Sequence, residues 1–149
     1  MSKVDTATVV PDLQATLVEL THLALQGKQA HWNVVGTLFR PLHLQLDEVV
    51  NDLRGWVDLV AERIAALGDA PDGRLATLSS SSSVDEFPGG FIDGSKIVAE
   101  VVGRLEQVIA AIRDRIDRLS DSDLVTQDLL IEVAAGLEKH AWMFAAQQR

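Results

Sequence analysis

Cysteine is absent from all 149 residues. A disulfide framework, a thiolate zinc site, an iron–sulfur cluster and a cysteine nucleophile are therefore closed to this chain. Basic residues are scarce: 13 Lys and Arg stand against 22 Asp and Glu, a net charge of −9. Phosphate recognition needs clustered Lys and Arg, so a broad nucleic-acid surface is disfavoured and cations suit the chain better. No run approaches the roughly 18 apolar residues of a membrane span. The opening MSKVDTATVV has one lysine and no apolar run before Pro11, unlike a secretory signal. A soluble, cytoplasmic chain without a membrane partner is expected. Sequence repeats and period-two strand patterns are also missing.

What is present is helical periodicity. At 47% hydrophobic, the chain is long and apolar enough to bury one core, so a single domain over residues 1–149 is expected. Pro11 suits a first helical position and Asp12 favours the positive helix end, which leaves 1–10 as a short N-terminal tail. Leu13, Leu17, Leu20 and Ala24 carry the first helix towards Val34, and Gly36 is its expected stop. The second helix restarts at Thr37 or Leu38. Leu46, Val49, Val50, Leu53, Trp56, Val57, Val60, Ile64 and Leu67 form its apolar stripe, and Gly68 ends it. Residues 69–93 hold Pro71, Pro88 and the run Ser79 to Ser83, and read as a crossover. The serine run is either a flexible tip or part of a short helix. Asp93-Gly94-Ser95 caps a third helix with Ile97, Val101, Leu105, Val108, Ile112, Ile116 and Leu119 inward. After the break at Ser120–Asp123, a fourth helix runs from about Leu124 to Gln147 with Leu129, Val133, Leu137, Ala141 and Phe144 inward. Two short connections and one long crossover describe an all-α, ferritin-like four-helix bundle.

His43, Asp47, Asn51, Arg54, Asp58 and Glu62 share the polar side of the second helix. A solvated face is one reading; a metal site is the other. Asp58 and Glu62 are four apart and point the same way, as do His43 and Asp47. Carboxylate plus imidazole suits iron, manganese or zinc. Yet His43 and Asp58 lie about 22 Å apart along a helix, so one chain does not bring both to one metal. A tight antiparallel turn brings His31 to the same end as His43. A two-fold axis crossing the second helix near Asn51 would set the partner's Asp58 and Glu62 against this chain's His31 and His43.

The ordinary in-bundle di-iron site needs two Glu-x-x-His motifs. Glu19-Leu20-Thr21-His22 is one, and no second exists. That site is disfavoured, and His22 reads as a surface or interface histidine.

The segment Lys28-Gln29-Ala30-His31-Trp32-Asn33-Val34-Val35-Gly36, with Phe39 and Leu42-His43-Leu44, resembles the Dps family of mini-ferritins. Asp58-Leu59-Val60-Ala61-Glu62 and Leu137-Glu138-Lys139-His140-Ala141-Trp142 extend the resemblance over nearly the whole chain. It implies a hollow shell of twelve chains that oxidises Fe(II) with hydrogen peroxide or oxygen, stores the ferric oxide and so protects DNA. It implies sites at two-fold interfaces, with His31 and His43 from one chain and Asp58 and Glu62 from its partner. Asp47 is then a ligand or stands behind one. Iron is the implied metal, with zinc or another divalent ion able to take its place. The family uses a tryptophan at the position of Trp32 as an electron donor; a plain interface aromatic is the alternative. Trp56 reads as core.

Asp121, Asp123 and Asp128 cluster at the start of the fourth helix, where capping accounts for one or two of them. The resemblance places acidic residues here around three-fold iron-entry pores, and Asp128 matches best. Glu48 and Asp52 are candidates to face the cavity. A nucleoid-associated, DNA-shielding protein is the alternative function. The N-terminal tail holds only Lys3 against Asp5, and the C-terminus ends on one Arg149. Twelve chains at −9 carry roughly −108, which weakens attraction to phosphate at ordinary salt. DNA binding is therefore doubtful on these residues.

Overall fold

The computed structural model describes residues 4–149; Lys3 of the N-terminal tail lies outside the described residues. The elements in order are α1 (Thr6–Asn33), β1 (Val34–Val35), α2 (Phe39–Ala66), α3 (Leu75–Ser81), β2 (Ile92–Asp93), α4 (Gly94–Arg118), α5 (Leu124–Ala145) and a 3-10 turn (Ala146–Gln148). α1 pairs with α2 and α4 with α5, and the two hairpins pack through α1 on α4 and α2 on α5. This is the ferritin-like four-helix bundle, with the short α3 set into the crossover. Among the described residues, no helix is long and apolar enough to cross a membrane.

The apolar stripes meet in one core. Leu13, Leu20, Leu42, Leu46, Leu53, Ile64, Ile97, Leu105, Ile112, Leu130 and Phe144 are all fully buried. α1 begins five residues before Pro11. The Asp5 carbonyl accepts from Thr8 N and Val9 N at 3.1 Å each, and the fully buried Val9 anchors this extra turn. Asp12 therefore lies past the first turn, where it pairs instead with Arg118 of α4 at 2.7 Å. Asp93 caps α4 as its sequence suggests, accepting from Ser95 N at 3.0 Å. Ser79 to Ser81 form the last residues of the short helix α3, and Ser82 and Ser83 follow it.

One strand feature has no period-two signal. Val34 pairs with Ile92 and Val35 with Asp93 in a two-residue parallel bridge. It ties the end of the crossover to the turn between α1 and α2. Gly36 in that turn has φ +95°, and a Cβ there would sit 2.7 Å from Asp93 Oδ2. Side chains of the bundle hold the rest of the crossover. Gln14 bonds Asp72 through both amide atoms, Gln26 donates to the Asp85 carbonyl, and the Arg104 guanidinium lies 5.0 Å over the Phe87 ring.

Glu19 and Arg115 form a buried ion pair between α1 and α4. Arg115 donates to both Glu19 oxygens, at 2.5 and 2.9 Å, and the Ser83 hydroxyl adds a third bond at 2.8 Å. The only Glu-x-x-His glutamate is thus already neutralised inside the bundle. Its His22 is half-buried, bonded to Ser82 Oγ at 2.6 Å and Gln26 at 3.0 Å.

A Cβ on Gly136 would lie 2.1 Å from the Trp56 ring, so Gly136→Ala should lower stability by about 1–3 kcal/mol. Denaturant unfolding and near-ultraviolet circular dichroism of the tryptophans check it. Glu19→Ala should cost about 3–5 kcal/mol by stranding the Arg115 charge. The paired change Glu19→Leu with Arg115→Met should recover most of that loss in the same urea titration.

Candidate metal centre

His31 lies in the last turn of α1 and His43 in the first turns of α2. The short turn between them brings the imidazoles face to face, 3.6 Å between centroids and 15° between planes. Each ring bonds to the other residue's backbone. His31 Nδ1 lies 2.6 Å from the His43 carbonyl, and His43 Nδ1 lies 2.8 Å from the His31 carbonyl. A carbonyl only accepts, so each Nδ1 is the donor. In the neutral rings each Nε2 therefore keeps its lone pair free, the state a metal ligand requires. His43 also serves the fold by bonding a carbonyl in the last turn of α1, one of those without an intrahelical partner. His31 is buried, His43 is half-buried, and Phe39 covers one side of His43 at 5.0 Å.

The polar side of α2 changes character along its length. His43 and Asp47 are half-buried, while Asn51, Arg54, Asp58 and Glu62 are exposed. The structure brings His31, His43 and Asp47 together at one end of the hairpin. Asp47 Oδ1 comes within 3.6 Å of His31 Nδ1, too long for a hydrogen bond. Its direct partner is the Lys28 ammonium of α1. The hydrogen bond from Lys28 holds the Asp47 carboxyl below the ordinary carboxylate range, with His31 adding to the effect. Asp58 and Glu62 lie towards the other end of α2. Among the described residues, no group of three or more His, Asp or Glu is close enough to hold a metal within one chain.

Trp32 follows His31 but is 64% exposed, lining a surface groove with Leu25, Leu75 and Phe87. Trp56 is partly buried against the core. His140 of α5 is buried, with its Nε2 in a hydrogen bond to Asp52 Oδ2 at 2.7 Å.

The three aspartates at the start of α5 separate. Asp121 and Asp128 are exposed. Asp123 is buried and caps α5, accepting from Val125 N at 3.3 Å and from Arg63 Nη2 at 2.6 Å, with the Thr126 hydroxyl as a further donor. Burial pushes its pKa up, but Thr126, Arg63 and the Val125 N–H together hold it below the ordinary value. Its carboxylate is committed to the fold, not free at a pore.

Sequence reasoning misses Lys28 and Arg63 as partners. Lys28 has a signal: it stands three residues before His31, and Asp47 four after His43, so an antiparallel hairpin that matches the histidines also matches this pair. Arg63 has none, because its partner comes from a helix 60 residues away.

Comparison with known proteins agrees with the fold. The ferritin-like domain family matches residues 12–149. DNA protection during starvation protein 2 of Deinococcus radiodurans is 39% identical over 137 residues, covering 92% of this chain; the chain spans 57% of that protein's length. DNA protection during starvation protein of Mycolicibacterium smegmatis is 37% identical over 137 residues, covering 90% of this chain and 73% of that protein. Among solved structures, Dps92 from Deinococcus radiodurans superposes with TM-score 0.93 at 39% identity, over 95% of this chain and 86% of that one. Dps from Microbacterium arborescens in its high iron form gives TM-score 0.92 at 32% identity, over 99% of this chain and 96% of that one.

A depressed carboxyl pKa stabilises the fold above the unfolded value, near pH 3.9, and that contribution is lost as pH falls through the folded value. Asp123 should therefore steepen the acid limb of stability. Asp123→Asn keeps a good capping side chain but loses the Arg63 ion pair. Its unfolding free energy should be lower than that of the parent at pH 6, and the gap should close as the buffer approaches pH 2.

Proposed function

The chain belongs to the Dps family of ferritin-like proteins, and from that premise we propose that it is an iron-oxidising storage cage. Fe(II) is the substrate and hydrogen peroxide the oxidant. The observation that carries this reading is the reciprocal bonding of His31 and His43. It leaves two free Nε2 lone pairs at one end of the hairpin, while Asp58 and Glu62 stand exposed towards the other.

A second copy related by a two-fold axis near Asn51 completes the arrangement. The partner's Asp58 and Glu62 meet this chain's His31 and His43, and each dimer holds two identical sites. Near-parallel rings 3.6 Å apart aim their in-plane lone pairs along separate lines. Each imidazole thus serves its own ion, in keeping with paired metals about 3.5–4 Å apart. The carboxylates favour the ferric product by charge, and few protein ligands leave room for the oxidant. One peroxide takes one electron from each of two Fe(II), gains two protons and leaves as two waters. Paired delivery avoids the one-electron cleavage that releases hydroxyl radical. Trp32, beside His31, stands ready to supply an electron when only one iron is bound.

Twelve chains enclose the cavity that stores the ferric oxide. Asp121 and Asp128, exposed beside the α5 cap, supply the acidic ring that concentrates Fe(II) at the entry pores; Asp123 holds that end in place through Arg63. The relatives' names refer to DNA protection in starvation. Removing Fe(II) and peroxide together is how this chain would provide it. Shielding by direct DNA binding draws no support from a chain of charge −9.

Two experiments test the reading. Anaerobic protein loaded with Fe(II) and given peroxide should oxidise near one peroxide per two irons, with little trapped hydroxyl radical. Oxidation no faster than that of free iron would overturn it. Asp58→Ala and His31→Ala should each abolish the fast phase, because every site draws on both residues. Mixed dimers of the two variants should regain one site in two; a mixture as inactive as its parents would mean the ligands do not cross the interface.

A further inference from the structure

The bonds that hold the crossover to α1 run through one histidine. Gln26 Nε2 donates to the Asp85 carbonyl at 2.8 Å and lies 3.0 Å from His22 Nε2. An amide nitrogen only donates, so His22 Nε2 accepts and carries a lone pair. The neutral ring then has its proton on Nδ1, which donates to Ser82 Oγ at 2.6 Å. The opposite orientation of the Gln26 amide would set its oxygen against the Asp85 carbonyl, acceptor to acceptor. The arrangement has a cost: Gln26 is buried, and its Oε1 has no hydrogen-bond partner among the described residues.

The same stretch is fixed to α4 by groups that do not titrate near neutrality. Arg104 donates to the Asp85 and Glu86 carbonyls and lies over the Phe87 ring. Gln107 bonds Asp85 N at 3.2 Å and the Ser83 carbonyl at 3.1 Å. Between the helices lies an apolar hollow of about 20 Å³, lined by Leu23 of α1, Leu46 and Leu53 of α2 and Leu105 of α4, with Phe87 as its wall on the crossover side. The crossover is thus hinged on α4 and latched to α1.

We propose that His22 makes this latch responsive to pH: a second proton on the ring turns the Gln26 amide and frees the crossover at Asp85 from α1, loosening the Phe87 wall of the hollow. The new Nε2–H would face the amide nitrogen donor to donor at 3.0 Å. Turning the amide gives the buried Oε1 the donor it lacks, and sets that oxygen against the Asp85 carbonyl in place of an N–H. One attraction becomes one repulsion. Glu86 Oε1, 3.9 Å from His22 Nε2 on a side chain almost wholly exposed, moves in to hold the imidazolium. The other charges near this face are already matched. Glu19, one turn before His22 on α1, is paired with Arg115 of α4, and α3 brings Leu78 and Ser79, which carry no charge. Ser82 keeps its bond from Nδ1 in both states, so the release begins after it. The latch holds at high pH and yields as pH falls through the range in which an imidazole charges.

Hydrogen exchange of the assembled protein, read by mass spectrometry and corrected for the intrinsic rate at each pH, tests the latch. The crossover peptide around Asp85 to Phe87 should exchange about tenfold faster at pH 5.5 than at pH 8, the size of one hydrogen bond replaced by a repulsion. Peptides from the middle of α5 should not change. His22→Gln keeps an acceptor for Gln26 and takes no second proton, so the crossover should exchange slowly at both pH values. Gln26→Leu removes the tie to Asp85 and should exchange fast at both. Equal corrected rates in the parent at the two pH values overturn the proposal. So does a pH difference that survives in His22→Gln or in Gln26→Leu, or one that the α5 peptides share. Nitrogen-15 spectra at pH 8 add a check that needs no variant: a His22 ring with its proton on Nε2 overturns the latch outright.

Discussion

An α-helix rises 1.5 Å per residue, and that constant governs what a single copy of this chain can do. α2 carries His43 near its start and Asp58 and Glu62 more than halfway along. The helix is unbroken from Phe39 to Ala66, so its two ends do not meet. The turn between α1 and α2 can bring His31 to His43, but no turn brings Asp58 to either. A single copy therefore presents two histidines at one end of the hairpin and two exposed carboxylates towards the other. The rest of the molecule keeps the histidine end in shape. The imidazole-to-carbonyl bonds set the tautomers, and the bridge from Val34–Val35 to Ile92–Asp93 ties the turn to the crossover. The long crossover, laced to α1 and α4, thus contributes to the same corner of the bundle.

Much of this is legible in the sequence because helix periodicity is a local signal. Leu46 through Ile64 have to face one way, and they do. Gly36, Gly68, Asp93 and the break before Leu124 mark ends that the backbone respects. Where sequence reasoning fails, a distant partner decides the matter. Pro11 is a good first helical residue, but burial of Val9 extends the helix before it. The bridge between β1 and β2 is two residues long, too short for any alternation to appear. Asp123 resembles one of three equivalent acids; Arg63, far away in sequence, removes it from that group. The single Glu-x-x-His motif speaks against an in-bundle di-iron site. Arg115 supplies the physical reason, since its guanidinium already occupies Glu19.

The two buried carboxylates share one kind of cation. Where a carboxylate is buried and structural, the partner is arginine: Arg115 for Glu19 and Arg63 for Asp123. A guanidinium is a rigid fork that bonds two acceptors at once and is hard to displace. Arg115 grips both oxygens of Glu19, and Arg63 bonds both Asp123 and Thr126. Beside the histidines the cation is instead Lys28, a point charge on a flexible stem. Asp58, Glu62, Asp121 and Asp128 make no ion pair among the described residues and are exposed. The fold therefore commits arginine to its two buried carboxylates and sets a lysine beside the histidines.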